Sequence, residues 1–429
     1  MKDELLIKIL RDQVKPALGC TEPGAVALCA TRAAELLNEN VDEMEIVVNN
    51  NILKNGMAVG IPGTADRGLD FAAALGIACG KSEYGLQVLK SVDEVCIAKS
   101  NEIVSAGKIK ITLDKSIPNL YIKATAKSKN NTSTVEIKDS HTNIIKEILN
   151  DNIIFEKENN SEEKDLENNA TNGEIRFGIR DYDINKLITF AKECPIDDLQ
   201  FINDGIDMNL TLARVGLTED IGLGIGKLYK SQIKDLESKA KAYTVAASEA
   251  RMVGYPLPVM SSAGSGNHGL VAIIPISVTG LEREYQKEKI IRAVALSHLV
   301  TIFVKVHLGV LTPVCGCGVA AGVGSAAGLT FLEGGSDDQI NIAAKNMIAG
   351  VSGMFCDGAK IGCAYKLAIS VDAAIDASKM ALAGIEIPSD NGILGETAEK
   401  SIKNLAYVSS HGMNNTDSAI LDVMMHTCP

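Results

Sequence analysis

Met354-Phe355-Cys356-Asp357-Gly358-Ala359-Lys360-Ile361-Gly362-Cys363, read with Pro313-Val314-Cys315-Gly316-Cys317-Gly318 upstream, decides how this chain is interpreted. Four thiols fall in two short clusters, each flanked by glycine. Thiolates gathered this way are ligands for soft metals and iron–sulfur centres. On an unbroken helix, Cys356 and Cys363 would stand about 10.5 Å apart along the axis, too far for neighbouring ligands of one cluster. Gly358 and Gly362 argue for a turn instead, one that brings both sulfurs inward. Cys317 or Cys315 then supplies a third ligand from its own glycine-rich turn. Four thiols also suit a closed zinc site, but the two tight CxxC knuckles usual for such a site are missing.

The 429 residues are 46% hydrophobic, with no Trp and only 4% aromatics. The core must therefore be Ala, Gly, Ile, Leu and Val, which suits helices that approach closely. A net charge of −12 argues against nucleic acid or an anionic membrane as partner, since both need clustered Lys and Arg. The apolar runs near 310–330 are broken by glycines and the thiol pair, which favours a buried helix over a membrane span. The first residues lack the apolar core of an export signal, so the reducing cytoplasm is the expected location. Ten irregularly spaced cysteines do not make a disulfide framework there. Cys29, Cys79, Cys96, Cys194 and Cys428 read as small buried hydrophobes or a tail thiol.

Periodicity predicts helices over 3–14, 24–38, 68–80 and 83–92, and a strand over 41–53. Short β-like runs between 103 and 137 predict an antiparallel meander followed by a helix over 140–149. Residues 156–173 are polar and acidic without periodicity, and read as a mobile surface loop. Beyond 183 helices dominate: 183–192, 196–216, 223–249, 288–307, 318–332, 337–350, 361–384 and 393–406. The expected class is α+β. A mixed part over 1–285 holds a small antiparallel sheet, and a mostly helical part over 286–429 carries the iron–sulfur site.

Cys20, in Gly19-Cys20-Thr21-Glu22-Pro23, is solitary and sits in a Pro-bounded turn before a predicted helix. The positive end of that helix is expected to lower the thiol pKa and favour a base or nucleophile. Glu22 either joins the site or only favours the helix start. Ser265, Gly266 and Asn267, within Ser261–Gly269, form a turn able to hold a carboxylate on backbone N–H groups and polar side chains. Asn55–Thr64 is a weaker candidate of the same kind. His268, and the turns at His411–Met413 and Thr416-Asp417, are expected near the centre, whereas His298 and His307 read as core or surface groups on a helix. Gly222–Lys227 imitates a phosphate loop but lacks its spacing and a preceding strand.

These motifs together resemble the L-cysteine desulfidase family, related to the α-subunit of iron–sulfur L-serine dehydratases. The resemblance spans nearly the full length and rests on GCTEP at 19–23, GSGNHG at 264–269, CGCGVAAG at 315–322, MFCDGAKIGC at 354–363 and Thr416-Asp417. Cys356-Asp357 resembles the start of the dehydratases' Cys-Asp-Pro segment, and Gly316-Cys317 with Gly322 resembles their Gly-Cys-Gln-Gly segment, favouring Cys317 over Cys315. Their early Ser-Ser-His-Thr motif is replaced here by Gly-Cys-Thr-Glu-Pro, which favours the desulfidase branch.

The resemblance implies a 4Fe–4S cluster on Cys317, Cys356 and Cys363 with one iron open as a Lewis acid. L-Cysteine is the implied substrate, Cys20 the base for its Cα proton, and Ser265, Gly266 and Asn267 the carboxylate holders. The products are sulfide, pyruvate and ammonia by way of aminoacrylate. Two rivals remain: the same chemistry on L-serine, and a non-enzymatic iron–sulfur or zinc sensor. A sensor would carry a DNA-binding or signalling module, and no basic recognition helix is visible. A homodimer is left open.

Overall fold

The computed structural model describes residues 3–117, 120–157, 175–309 and 311–426. The chain begins with α1 (Glu4–Gln13), capped by Asp3, whose carboxylate accepts from the Leu5 and Leu6 amides. A two-residue strand β1 (Pro16–Ala17) leads to α2 (Thr21–Leu37), then β2 (Glu43–Val48), α3 (Asn50–Gly56), α4 (Leu69–Cys79) and α5 (Glu94–Ser105). The sheet continues with β3 (Ile109–Leu113), β4 (Tyr121–Lys127), β5 (Thr132–Lys138), β6 (Ile144–Leu149) and β7 (Asn152–Glu156).

Helices then follow almost without interruption: α6 (Ile184–Glu193), α7 (Ile196–Leu199), α8 (Phe201–Thr218), α9 (Ile225–Ser231) and α10 (Leu236–Met252). A second two-residue strand, β8 (Val259–Met260), precedes α11 (Gly266–Glu282) and α12 (Lys287–Leu308). The chain closes with α13 (Gly322–Leu332), α14 (Asp337–Val351), α15 (Cys363–Leu382), α16 (Ala398–Tyr407) and α17 (Thr416–Met424).

The architecture is α+β, as expected, with two corrections in the sheet. Its order is β3-β2-β4-β5-β6-β7, and β2 runs parallel to β3 while the other neighbours are antiparallel. The parallel pair arises because α3, α4 and α5 form a crossover between its strands. The helix predicted over 140–149 is instead β6. Ile144, Ile145, Ile148 and Leu149 fit a helical stripe equally well, but pairing of Ser133 with Leu149 and Val135 with Glu147 takes them into the sheet. The strand predicted over 41–53 stops at Val48, because Asn49 caps α3 through the Ile52 amide at 3.4 Å. The predicted helix over 83–92 forms only a 3₁₀ turn, Ser82–Gln87. Of the loop read over 156–173, Glu156 closes β7 and residues from 158 lie outside the described set.

Two main cores result. One packs α2 and α4 on the inner face of the sheet, with Ala25, Leu28, Ile46, Ile122 and Val135 buried. The larger joins α1 to the helices from α6 onward, with α11 and α12 both inside it, so residue 285 falls between two helices of one core. Cys79 and Cys96, expected as separate thiols, form a disulfide between α4 and α5. α12 is long and apolar enough to cross a membrane by length and composition, yet 89% of its apolar window is buried inside the molecule. The Gly222–Lys227 string is occupied by its own chain: Glu249 accepts from the amides of Leu223, Ile225 and Gly226.

The low aromatic content is answered by close helix contacts. A Cβ at Gly324 would lie 2.2 Å from Thr301 Oγ1 and 2.4 Å from the Ser297 carbonyl, so α13 rests directly on α12. Gly324→Leu is therefore expected to destabilise the fold by about 1–3 kcal/mol or more, read as a lowered urea midpoint. An unchanged midpoint would show that the α12–α13 contact has slack.

Candidate active site

Two strand-like bridges assemble one cavity from segments far apart in the chain. The first joins the cysteine clusters. Val314 pairs antiparallel with Phe355, the Cys315 amide donates to the Met354 carbonyl at 2.7 Å, and the Cys356 amide donates to the Pro313 carbonyl at 2.7 Å. The second pairs β1 with β8 and is extended by the Ser261 amide to the Lys15 carbonyl at 2.9 Å and the Ala263 amide to the Gln13 carbonyl at 3.1 Å. It sets the Cys20 turn beside the start of α11.

Arg251, at the end of α10, ties these pieces together. Its guanidinium donates to the Gly19 carbonyl at 2.8 Å and to Asn267 Oδ1 at 3.1 Å. Gly266 is required here, because a Cβ would lie 2.3 Å from Arg251 Nε. The turn expected over Ser261–Gly269 is already helical from Gly266. Its first-turn amides have no intrahelical partner, and Ser265 at the N-cap uses no side-chain capping bond.

The resulting cavity of about 220 Å³ is lined by Cys20, Ser265, Asn267, Cys317, Cys356 and Cys363, among others. Six of the seven predicted site residues thus face one space, and Gly266 lies behind them at the helix start. Cys315 shares the same wall. Cys317 begins a short π-helical turn into α13, and Cys363 opens α15, its sulfur 3.5 Å from the Gly358 carbonyl. Gly358 takes φ 83° where its turn presses on α3, and a Cβ there would lie 2.3 Å from the Lys54 carbonyl. The predicted inward turn between Cys356 and Cys363 is therefore present.

The electrostatics correct one expectation. Cys20 does sit at the N-cap of α2, but burial raises its thiol pKa and outweighs the lowering by Arg251. Burial likewise pushes Cys363 up to about 12. Cys315 and Cys317 share a proton, so Cys315 falls as its thiolate accepts from Cys317 and Cys317 rises. Lys305 on α12 is lowered to about 8 by burial, against the pull of Cys356, Cys317 and Cys315.

Several functional side chains escaped the sequence reading. Lys54, fully buried, pairs with Asp417 and donates to the Cys356 carbonyl at 2.9 Å. That pair sets Asp417, in the first turn of α17, against the Cys356 turn, whereas His411, Gly412 and Thr416 line a separate cavity. Lys305 and Arg251 also line the cavity. A lone cation within the apolar run Phe303-Val304-Lys305-Val306 was the available signal. His268 is at the site as expected, its Nδ1 3.2 Å from the Ser262 carbonyl. His298 lies behind it, its Nδ1 2.9 Å from Ser262 Oγ.

Among the described residues, no three His, Cys, Asp or Glu side chains converge tightly enough for a single metal ion. The donor set nevertheless suits an iron–sulfur group: four thiols on one wall, near enough to shift one another's protonation, with Lys305 beside them. A cube carries its ligands farther apart than a lone ion does.

Residues 83–422 match the family described as serine dehydratase alpha chain. The chain belongs to the serine dehydratase alpha chain family. Relatives agree over almost the whole length. A UPF0597 protein of Caldanaerobacter subterraneus is 54% identical, covering 99% of each chain. One of Clostridium tetani is 52% identical, covering 100% of this chain and 99% of its own. Another, of Clostridioides difficile, is 41% identical over 97% and 98%. Membership points to a lyase-type enzyme of an iron–sulfur family. The matched region holds Cys315, Cys317, Cys356, Cys363 and α11, and it leaves out the Cys20 turn and α3.

Burial lowers His268 and His298 to about 3, well below the unfolded value near 6.5. The unfolded chain therefore takes up protons that the folded chain refuses once the pH drops below about 6.5. Stability from these groups is complete above that pH and declines below it, by roughly 1.4 kcal/mol per pH unit for each imidazole. Urea midpoints should fall between pH 6.5 and 5, and His298→Gln should flatten the slope by one proton. An unaltered slope in that variant would mean His298 is protonated in the fold.

Proposed function

We propose that this chain is a non-redox iron–sulfur lyase that eliminates sulfide from L-cysteine. The observation that carries the reading is the meeting of Cys20 with Cys317, Cys356 and Cys363 around one cavity. When bound on those three thiols, a 4Fe–4S cluster supplies Lewis-acid pull on the leaving sulfur. Cys317 is taken as the third ligand on the likeness of Gly316-Cys317 with Gly322 to the Gly-Cys-Gln-Gly segment, with Cys315 as the alternative.

The chain's own residues supply the rest. The α11 start, with Ser265, Gly266 and Asn267, offers unpartnered amides to a carboxylate, and Arg251 and Lys305 add positive charge beside it. Cys20 takes the Cα proton. Burial disfavours its thiolate and Arg251 offsets part of that cost; Cys20 gives up its own proton to water before it acts, and the thiolate so formed is a strong base. Loss of the Cα proton and of sulfide leaves aminoacrylate, which tautomerises and takes up water. The balance is L-cysteine plus water giving pyruvate, ammonia and sulfide. The small cavity, closed by α3 and the Cys356–Cys363 turn, limits bulk water around the reacting atoms.

A second reading, L-serine as substrate, is favoured by the family description. Against it stands Gly19-Cys20-Thr21-Glu22-Pro23 in place of the early Ser-Ser-His-Thr motif of the dehydratases. Sulfide and pyruvate release from the two amino acids by anaerobically prepared protein separates them: sulfide from L-cysteine is expected, and pyruvate from L-serine alone would overturn the first reading.

Cys20→Ala is expected to keep iron and its visible absorbance while turnover falls at least about 100-fold. Activity near that of the wild type would remove Cys20 from the mechanism. Cys356→Ala and Cys363→Ala should lose iron together with activity, and full iron content in either would exclude it as a ligand. Iron analysis of Cys315→Ser beside Cys317→Ser decides the third position.

A further inference from the structure

The cavity is polar in two opposite senses. Cations and amides gather around Arg251, Lys305 and the α11 start, whereas acceptor oxygens gather on α2 and α3. We propose that Glu22, Asn51 and Asn55 form the subsite for the ammonium group of an α-amino-acid substrate, a proposal that rests on the lyase reading above.

Glu22 is only 8% exposed and lies in the first turn of α2, two residues from Cys20. Its Oε1 accepts from Asn55 Nδ2 at 2.9 Å and its Oε2 from Thr21 Oγ1 at 3.1 Å. Burial alone would raise its pKa, yet the balance with His141 and Asn55 leaves the carboxyl below its ordinary range, so it is ionised. His141 Nε2 stands 3.9 Å away, an ion-pair separation rather than a hydrogen bond. Among the described residues no Lys or Arg pairs with Glu22, since Lys54 nearby is spent on Asp417 and the Cys356 carbonyl. A buried carboxylate whose nearest cation is an imidazole at 3.9 Å still has room for a second positive donor.

Asn55 and Asn51 complete the acceptor set. They are four residues apart on α3 and so share a face. The Asn55 amide orientation is fixed because its Nδ2 donates to Glu22, which leaves Oδ1 as the unpaired atom. Asn55 is 7% exposed, and both its Oδ1 and that of Asn51 are buried without a donor. Buried acceptors left unpaired cost free energy unless something donates to them. An ammonium group brings three N–H donors and one positive charge, which answers two amide oxygens and a carboxylate. All three residues line the cavity with Cys20, so a zwitterion held at both ends places its Cα near the thiol.

The test compares molecules that differ only in the amino group. L-Cysteine turnover is measured in wild type and in Glu22→Gln, with 3-mercaptopropionate as competitive inhibitor. The KM for L-cysteine is expected to rise about 10- to 100-fold, while the inhibition constant of 3-mercaptopropionate moves less than about twofold. Equal shifts for both, or none for either, would overturn the proposal. Asn51→Ala should show the same selectivity more weakly, and it decides the matter if Glu22→Gln fails to fold. If wild type releases no sulfide from L-cysteine, the lyase reading on cysteine has failed. Calorimetric binding of L-serine against 3-hydroxypropionate then tests the subsite by itself: selective loss of L-serine in Glu22→Gln supports it, and unchanged or equally lost binding refutes it.

Discussion

The antiparallel contact between Val314 and Phe355 is the constraint on which the site depends. Two hydrogen bonds of 2.7 Å hold the turns carrying Cys315 and Cys317 against the turn carrying Cys356. The two segments come from opposite sides of α13 and α14 in sequence. Without that contact the thiols would belong to separate loops. With it, their spacing is set by backbone hydrogen bonds, which tolerate less drift than side-chain contacts. Lys54 then secures the second turn from outside through the Cys356 carbonyl, with Asp417 balancing its charge.

The rest of the helical core serves to keep these turns rigid. Alanines and glycines bring α11, α12 and α13 into near backbone contact, so little free volume is available for the cluster turns to relax into. Low aromatic content is thus the condition for that closeness, as the composition predicts. The same packing explains the shifted protonation of the residues behind the cavity. His298 and His268 are kept neutral by the same dry surroundings that lower Lys305 beside the thiol wall.

Much of this was legible in the residues. The thiol clusters, the Cys20 turn and the Ser265–Asn267 segment announce themselves because reactive side chains sit among glycines and prolines, and the structure lines them up on one cavity. What was not legible depends on long-range placement. Lys54 means nothing until Asp417, 363 residues away, is beside it. Arg251 reads as an ordinary helix-end charge. The β6 segment misleads because Ile144, Ile145 and Ile148 satisfy both periodicities, and only the partner strand chooses between them. The expected acidity of the Cys20 thiol failed for a related reason: a helix start can be seen in sequence, whereas the surrounding dryness that opposes it cannot.

The division between the two cores has a further implication. The thiol wall hangs from the helical core, while Cys20 and Glu22 sit at the start of α2, which packs on the sheet, with the asparagines on the neighbouring α3. The acceptor oxygens and the clustered thiols are thereby housed in different scaffolds that meet at the cleft. Substitution in one of them alters the acceptor set and leaves the thiols where they are, a modular route to fitting the same cavity to a different small molecule.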